Sequence, residues 1–221
     1  MLNFALARGY VFLKAAHFGP TVMVTTITFL LALSQFSPID ALRVAIAIFA
    51  GQLVVGWSND LIDAPLDIAA QREKKPIVSK EIDPEQLKKS IVFALVAALL
   101  LSLISPLGIT GTLIHFLGIL SATFYNLKLK STILSPLPYL VSFGSLPWAI
   151  YLSAGNHPPL WLYLDFMLIA VAFHFFNVLK DFQWDINQGV LGIPQRLGKK
   201  ASLVISILLV ISAILVLIFL H

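Results

Sequence analysis

Two groups of acidic side chains stand out in an otherwise apolar chain. They are Asp60, Asp63 and Asp67 in the stretch SNDLIDAPLD, and Asp181 and Asp185 in the stretch DFQWD. Spacings of three and four residues place side chains on one helix face, so the first group is predicted to form an acidic stripe, and the second to form another with Asn177. Pro65 interrupts the first group, and its helix is expected to kink or end there.

The residue types around these carboxylates indicate which chemistry they support. Neighbouring carboxylates repel, whereas hard divalent cations such as Mg²⁺ take oxygen ligands and commonly bridge carboxylates to a phosphate. Basic residues follow each acidic group, and a basic pair occurs between them in YNLKLK. These residues are Arg72, Lys74 and Lys75, then Lys128 and Lys130, then Arg196, Lys199 and Lys200. Carboxylates, a divalent cation and lysine or arginine side chains together suit a diphosphate.

The composition predicts that this chemistry takes place in a membrane. The chain has 221 residues, of which 58% are hydrophobic and 12% charged, and its mean hydropathy is +0.90; these values are typical of a helical membrane protein. The chain has no cysteine, which excludes disulfides and thiolate metal sites. The apolar stretch after Lys14 is longer than a signal-peptide core, so the N-terminus is expected to be retained.

Seven apolar segments are long enough to cross a membrane as helices. They lie roughly at 14–36, 39–59, 90–107, 109–127, 132–153, 159–180 and 200–220. Short turns rich in proline and glycine alternate with charged loops. With a cytoplasmic N-terminus, all of the 15 Lys and Arg residues except Arg43 fall on the cytoplasmic side, as the positive-inside rule requires. Both acidic groups then lie at the cytoplasmic face.

The two aspartate motifs, in this order and on one side of a membrane protein, resemble those of the UbiA superfamily of intramembrane prenyltransferases. NDLIDAPLD is similar to the family motif NDxxDxxxD, and DFQWD is similar to the second motif, DxxxD. REKKPIVSKEI resembles the basic segment after the first motif, and the residues from Asp181 to Gly198 follow the pattern DxxxDxxxGxxxxPxxLG. The resemblance covers essentially the whole chain, so a single domain at 1–221 is predicted.

The resemblance implies an all-α fold, a polytopic bundle or barrel of about seven transmembrane helices around a lipid-accessible cavity. It implies an enzyme similar to 4-hydroxybenzoate polyprenyltransferase, in which Mg²⁺ and cationic side chains stabilise the diphosphate that leaves an isoprenyl group. The expected metal ligands are Asn59, Asp60, Asp63, Asp67, Asp181 and Asp185. The five aspartates and Tyr125 are also the expected catalytic residues. The expected substrate-binding residues are Lys14, Asn59, Arg72, Lys75, Lys128, Lys130 and Asn177, with Tyr125 beside the reacting group.

Some positions and partners stay open at this point. The lysine of the family's Tyr-x-x-x-Lys element is either Lys128 or Lys130, and Lys14 stands where relatives often have arginine. The expected partners are a prenyl diphosphate donor, an aromatic or other lipophilic acceptor and membrane lipids, without nucleic acid. The expected location is a prokaryotic cell membrane. Relatives usually continue with further transmembrane helices, so a catalytically lost paralogue or a fragment is an alternative, and a cation or proton transporter is another.

The orientation is testable because the chain lacks cysteine. Loops at 60–89, 126–131 and 181–199 should share one face with the N-terminus, and His221 should be opposite. A single thiol introduced by Glu73→Cys should react with an impermeant maleimide only from the cytoplasmic side, and one introduced by Asn156→Cys only from the outer side. Labelling of the 60–89 loop from the outer face alone would contradict the predicted site.

Overall fold

The computed structural model describes residues 2–221, and side chains from residue 9 onward. Its described residues form ten α-helices, as the sequence predicts for an all-α protein. The first five are α1 (Leu2–Ala15), α2 (Phe18–Ala32), α3 (Pro38–Ala69), α4 (Pro84–Ile104) and α5 (Gly108–Leu127). After a 3₁₀ turn at Leu129–Ser131 follow α6 (Leu137–Ser153), α7 (Leu160–Val178), α8 (Phe182–Asn187), α9 (Ile193–Leu197) and α10 (Lys199–Leu220).

Fewer helices reach spanning length than the seven predicted. Within the described part of the chain, α3, α4, α5, α7 and α10 are long and apolar enough to cross a membrane, and a sixth span is present if the bent pair formed by Gly9–Ala15 and α2 counts as one. The remaining predicted span, 132–153, contains α6, which has 17 residues. It is shorter than predicted because the chain turns as far as Pro136 before the helix begins at Leu137. The chain is an integral multi-pass membrane protein.

The chain divides into two compact units, Met1–His115 and Phe116–His221. In the first unit, α3 packs against α2 and α4. Small buried residues on these helices, including Ala41, Ala45, Ala94 and Ala98, let the backbones approach closely, which is how helices associate when lipid removes the hydrophobic drive. The outer faces of α4 carry exposed Leu, Val and Phe side chains that suit contact with lipid.

In the second unit, α7 packs against α6 and α10. Ala170 and Ala172 of α7 and Ala213 of α10 are buried, and Ser206 of α10 donates a hydrogen bond to the Ala172 carbonyl at 2.9 Å. An interhelical hydrogen bond from serine is a common contact between helices in lipid. The packed alanines and this hydrogen bond hold α10 beside α7. The C-terminal end of α7 leads to the second aspartate motif.

Charged residues lie at the starts of α3 and α4. Asp83 accepts hydrogen bonds from the backbone N–H groups of Glu85 and Gln86 at 2.7 and 3.2 Å, and Pro84 follows it at the first helical position, a favourable N-terminal pattern. At the start of α3, Arg43 forms an ion pair with Asp40 at 3.2 Å. Arg43, the one basic residue predicted on the outer side, therefore has a carboxylate beside it.

A bend between α1 and α2 shapes the first unit. The two helices differ in direction by 81°, and His17 at the corner has a left-handed backbone with φ 54° and ψ 60°. Thr21 donates a side-chain hydrogen bond to the Ala16 carbonyl at 2.7 Å, and Trp57 of α3 donates one to the Phe12 carbonyl at 2.9 Å. These bonds fix the corner against α3.

Gly56 makes this docking possible. A Cβ atom at Gly56 would lie 2.3 Å from the Ala16 carbonyl oxygen, closer than any real contact allows. The corner therefore rests on the backbone of α3 one helical turn before Asp60, and it brings His17 to the level of the first aspartate.

Gly56→Ala should destabilise the protein, because the new methyl group must push the α1–α2 corner away from α3. Overpacking of this kind costs about 1–3 kcal/mol. The measurement is thermal unfolding of the purified protein in detergent. Gly19→Ala is the matched control, since Gly19 lies in α2 with nothing within 4 Å of an added Cβ. Equal unfolding temperatures for both variants would show that the close contact at Gly56 is unimportant.

Candidate functional site

The first aspartate motif lies on one continuous helix. Of the two outcomes expected at Pro65, a kink or a helix end, the helix end is wrong, because α3 runs through Pro65 to Ala69. Asp60 and Asp67 are buried, at 2% and 1% exposure, and Asp63 is half-buried. Pro65 itself is exposed. The predicted stripe is therefore present, with two of its carboxylates inside the first unit.

Lys75 contacts both buried carboxylates. Its Nζ donates a hydrogen bond to Asp60 Oδ1 at 2.6 Å and lies 3.9 Å from Asp67 Oδ2. Arg72 Nη1 donates to Asp67 Oδ1 at 3.3 Å. A buried carboxylate requires such compensation, since an unpaired charge in a low-dielectric environment is strongly destabilising. The structure thus brings two predicted phosphate-binding cations to two predicted metal ligands.

The loop after α3 positions these cations. The backbone N–H of Arg72 bonds to the Asp67 carbonyl at 3.0 Å, which turns the chain back toward the helix. Pro76 and Ile77 are buried, and the Pro76 carbonyl accepts hydrogen bonds from the N–H groups of Glu81 and Ile82 at 2.9 and 3.2 Å. Lys75 directly precedes this turn, so its side chain is held next to the Asp60 and Asp67 carboxylates of α3.

Lys14 and Asn59 each contact a carboxylate of the first unit. Lys14 Nζ pairs with Glu81 Oε2 of the loop at 3.0 Å, at an exposed position. Asn59 Nδ2 donates to Asp63 Oδ2 at 3.2 Å, one turn along α3. The Asn59 side chain therefore orients a carboxylate of the motif, and Lys14 ties the α1–α2 corner to the loop that carries Lys75.

His17 belongs to this site although sequence reasoning did not include it. Its Nε2 lies 3.7 Å from Asp60 Oδ1, and Asp60 Oδ2 is buried with no hydrogen-bond partner among the residues whose side chains the structure describes. The sequence signal for His17 was only its spacing from Lys14. The bend that turns it toward Asp60 has no periodic pattern to reveal it.

The second aspartate motif is built differently from its prediction. Asn177, Asp181 and Asp185 were expected to share one helix face, but α7 ends at Val178. Short-range bonds tighten the chain there, from the N–H of Leu179 to the Phe176 carbonyl at 3.1 Å and from that of Asp181 to the Val178 carbonyl at 3.2 Å. The expectation of one stripe is therefore wrong for this motif.

The short helix α8 presents the second pair of carboxylates instead. Asp181 lies at its N-terminus and Asp185 in its first turn. Gln195 of α9 donates a hydrogen bond through Nε2 to Asp185 Oδ2 at 2.8 Å. Asp181 and Asp185 are both half-buried, so this pair is nearer the surface of its unit than Asp60 and Asp67 are in theirs.

A polar aromatic cluster links two predicted residues of the second unit. Tyr125 and Tyr139 lie edge to face with ring centres 5.1 Å apart, and Tyr139 is hydrogen-bonded to both Tyr125 and Asn177. His174, which is 1% exposed, lies 4.6 Å from Tyr139 between ring centres, and its Nε2 is 3.1 Å from Ser135 Oγ. Tyr139 and His174 were not predicted, because isolated polar residues in apolar segments carry no spacing signal.

The two candidate lysines after α5 differ in environment. Lys128 is exposed, whereas Lys130 lies in the 3₁₀ turn and is half-buried. A Cβ at Gly192, in the loop after the second motif, would lie 2.6 Å from the Lys130 carbonyl oxygen. This close approach holds the backbone of Lys130 against the loop that follows Asp185.

The donor atoms suit a hard divalent cation. Carboxylate oxygens are the ligands that Mg²⁺ prefers. Asp60 Oδ2 is buried and has no hydrogen-bond partner among the side chains from residue 9 onward, and Lys75 already places one positive charge against Asp60 and Asp67. No group of three or more His, Cys, Asp or Glu side chains is gathered for a metal ion among the described residues. The two motifs lie in different units, and their convergence on one ion or diphosphate stays a prediction.

Comparison with known proteins identifies relatives of this arrangement. The model of the UbiA prenyltransferase family matches residues 21–221. A comparison of the sequence with curated proteins finds no match. The family motifs expected from the sequence, the aspartates in α3 and those around α8, both lie within the matched residues.

Solved structures share the fold. A structure described as digeranylgeranylglyceryl phosphate synthase is 22% identical, with 95% of this chain and 76% of that chain covered and a TM-score of 0.69. A UbiA homologue from Archaeoglobus fulgidus bound to DMAPP and Mg²⁺ is 14% identical, with 93% and 75% covered and a TM-score of 0.76. An apo homologue from Aeropyrum pernix K1 is 19% identical, with 94% and 77% covered and a TM-score of 0.71. At these identities, the likeness establishes the fold.

Lys75→Met should destabilise the metal-free protein, because it leaves the buried carboxylates of Asp60 and Asp67 without their shared cation. Removing one partner of a buried ion pair costs about 3–5 kcal/mol. Thermal unfolding in detergent with EDTA measures this loss, and millimolar Mg²⁺ should restore much of it by replacing the missing charge. Lys74→Met removes an exposed lysine next to it and should change little. A Lys75→Met variant as stable as Lys74→Met in EDTA would contradict the assigned role.

Proposed function

Because the chain belongs to the UbiA prenyltransferase family, we propose that it is an intramembrane, Mg²⁺-dependent prenyltransferase. It transfers an isoprenyl group from a prenyl diphosphate to an aromatic or other lipophilic acceptor and releases diphosphate. The observation that carries this proposal is the pair of buried aspartates, Asp60 and Asp67, with Lys75 and Arg72 bound to them at the end of a membrane helix. Relatives bound to GPP or DMAPP with Mg²⁺ support the donor and the metal.

The metal would be held by oxygen atoms of the two motifs. The proposed ligands are Asn59, Asp60, Asp63, Asp67, Asp181 and Asp185. When bound, Mg²⁺ neutralises negative charge on the departing diphosphate. Asp60 and Asp67 are buried, so their carboxylates have fixed directions and lie in a region of low dielectric constant. The charges of these two carboxylates therefore act strongly on a nearby cation.

The cationic side chains would bind the diphosphate directly. Lys75 Nζ lies within 4 Å of two carboxylates, so a phosphate that binds beside Asp60 and Asp67 would lie next to the positive charge of Lys75. Arg72 offers a planar fork that suits two phosphate oxygens at once. Lys130, Lys128 and Lys14 are the further proposed phosphate contacts. These positive charges stabilise the charge that develops as the allylic C–O bond breaks.

Water exclusion is the second requirement of this reaction. An allylic cation reacts with any water that reaches it, so the prenyl group must lie in an apolar environment. The aromatic rings of Tyr125 and Tyr139 in the second unit can face a cation, since aromatic faces attract positive charge. We propose Tyr125 as the residue beside the reacting carbon and Asn177, through Tyr139, as its support.

The distribution of charges disfavours a transporter. A proton or cation pathway usually places acidic groups along the membrane interior. Among the described residues, the clustered carboxylates instead lie toward the C-terminal end of α3 and around α8, each followed by cations. We propose a prokaryotic cell membrane with the N-terminus and both motifs at the cytoplasmic side. An inactive paralogue would retain the site and show no turnover.

Asp63→Asn and Asp181→Asn should each lower diphosphate release by about 10²–10³-fold or more, because ligand charge is lost where the transition state requires it. The assay measures pyrophosphate released from geranylgeranyl diphosphate, with a membrane extract as the source of acceptor, with and without EDTA. Stability should barely change, since removing one of several like charges relieves repulsion. Glu73→Gln is the control, because Glu73 is exposed on the loop after the first motif.

Other outcomes of this assay discriminate among the alternatives. Release that is unaffected by EDTA and by both substitutions would rule out metal-assisted ionisation. An inactive paralogue would release no pyrophosphate in its wild-type form. A separate measurement tests the transporter: cation flux in reconstituted vesicles, without Mg²⁺-dependent pyrophosphate release, would favour it.

A further inference from the structure

Gln195 is an unusual residue to bury in the second unit. It is 7% exposed, it lies in the five-residue helix α9, and its Oε1 is buried with no hydrogen-bond partner among the described side chains. A buried amide with an unpaired oxygen is unfavourable for stability compared with an apolar side chain of similar size. The burial of the Gln195 amide therefore indicates a role other than packing.

The partner of Gln195 indicates that role. Its Nε2 donates a 2.8 Å hydrogen bond to Asp185 Oδ2. An ionised carboxylate has no proton to donate, so the amide nitrogen rather than the amide oxygen must face Asp185. The orientation of the Gln195 side chain is thus set by the carboxylate, even though this leaves Oε1 without a partner.

The surrounding backbone holds Gln195 in this position. Gly192 precedes α9, and a Cβ there would lie 2.9 Å from Ser135 Oγ and 3.0 Å from Gln195 Oε1. Ser202 of α10 donates a 2.9 Å hydrogen bond to the Pro194 carbonyl, and the N–H of Ile193 donates to Ser135 Oγ at 3.1 Å. Ser135 and Ser202 thus hold α9 from two sides, which fixes the position of the Gln195 amide.

We infer that Gln195 is a positioning residue for the second aspartate motif, which orients the Asp185 carboxylate toward a divalent cation. This inference rests on the proposed function, because it assumes that Asp185 is a metal ligand. A residue that hydrogen-bonds to a metal-ligating side chain fixes the direction of that side chain, and its mutation typically lowers metal affinity about 10–100-fold. The neutral amide does this without adding a positive charge that would compete with the cation.

The test measures Mn²⁺ binding to the full-length protein in detergent by electron paramagnetic resonance, without substrate. Asp185→Asn identifies the binding that depends on the second motif. Gln195→Met removes the donor at nearly constant volume and should weaken that binding about 10–100-fold. Gln183→Met is the control, since Gln183 is exposed on α8 and bonds to Asn187; its affinity should match the wild type.

A double-mutant cycle separates positioning from a general structural role. If Gln195 acts through Asp185, Gln195→Met should cause no further loss of Mn²⁺ binding in the Asp185→Asn background. Additive losses, or unchanged affinity in Gln195→Met, would overturn the inference. Gln195→Asn, whose shorter amide cannot reach Asp185, should show the same loss if Gln195→Met fails to fold.

The same titration separates this inference from the proposed function. A wild-type protein that binds no Mn²⁺ would overturn the metal assignment of the proposed function and the inference with it. A wild-type protein that binds Mn²⁺ dependent on Asp185, together with a Gln195→Met variant of equal affinity, would overturn the inference alone.

Discussion

The first unit is organised by the need to compensate negative charge inside a membrane helix bundle. Asp60 and Asp67 are almost completely buried, and an uncompensated carboxylate in that position would be severely destabilising. Lys75 and Arg72 supply the compensation from a loop rather than from a neighbouring helix. The loop must therefore fold back onto α3, and its buried Pro76 and Ile77 are the anchors that make it do so.

The close packing of the bundle serves the same arrangement. Because lipid provides no hydrophobic drive between helices, small residues allow the backbones to approach. Among the glycines whose surroundings the structure describes, Gly56 has the shortest contact for an added Cβ. Its contact with Ala16 sets the position of the corner between α1 and α2. That corner places His17 beside Asp60, so a glycine, which has no side chain, helps to determine the electrostatic surroundings of a carboxylate one turn away.

The sequence predicted the structure best where the spacing of residues along a helix is sufficient to determine it. Long apolar segments gave the all-α membrane fold, and three- and four-residue spacings placed Asp60, Asp63 and Asp67 on one face of a helix that Pro65 does not interrupt. The same rule failed at Asp181, because spacing does not reveal that α7 ends at Val178.

Residues that act through tertiary contacts were missed for a related reason. His17 approaches Asp60 of the first unit through a bend, whereas Tyr139 and Gln195 approach predicted residues of the second unit through an aromatic contact and a short loop helix. None of these features is periodic in sequence. Lys75 was predicted as a phosphate contact, but its hydrogen bond to Asp60 depends on the path of the loop around Pro76. Such contacts require the fold before they can be recognised.

The short helices α2 and α6 have a consequence for the surrounding lipid. With 15 and 17 residues, they extend only about 22–26 Å along their axes at 1.5 Å per residue, less than the roughly 30 Å of a typical hydrocarbon core. α2 continues the bent pair that begins at Gly9, whereas α6 stands alone at a length below that of the hydrocarbon core. Lipid beside such a helix must thin locally or flanking side chains must extend to the interface, which makes bilayer thickness a determinant of where this protein is most stable.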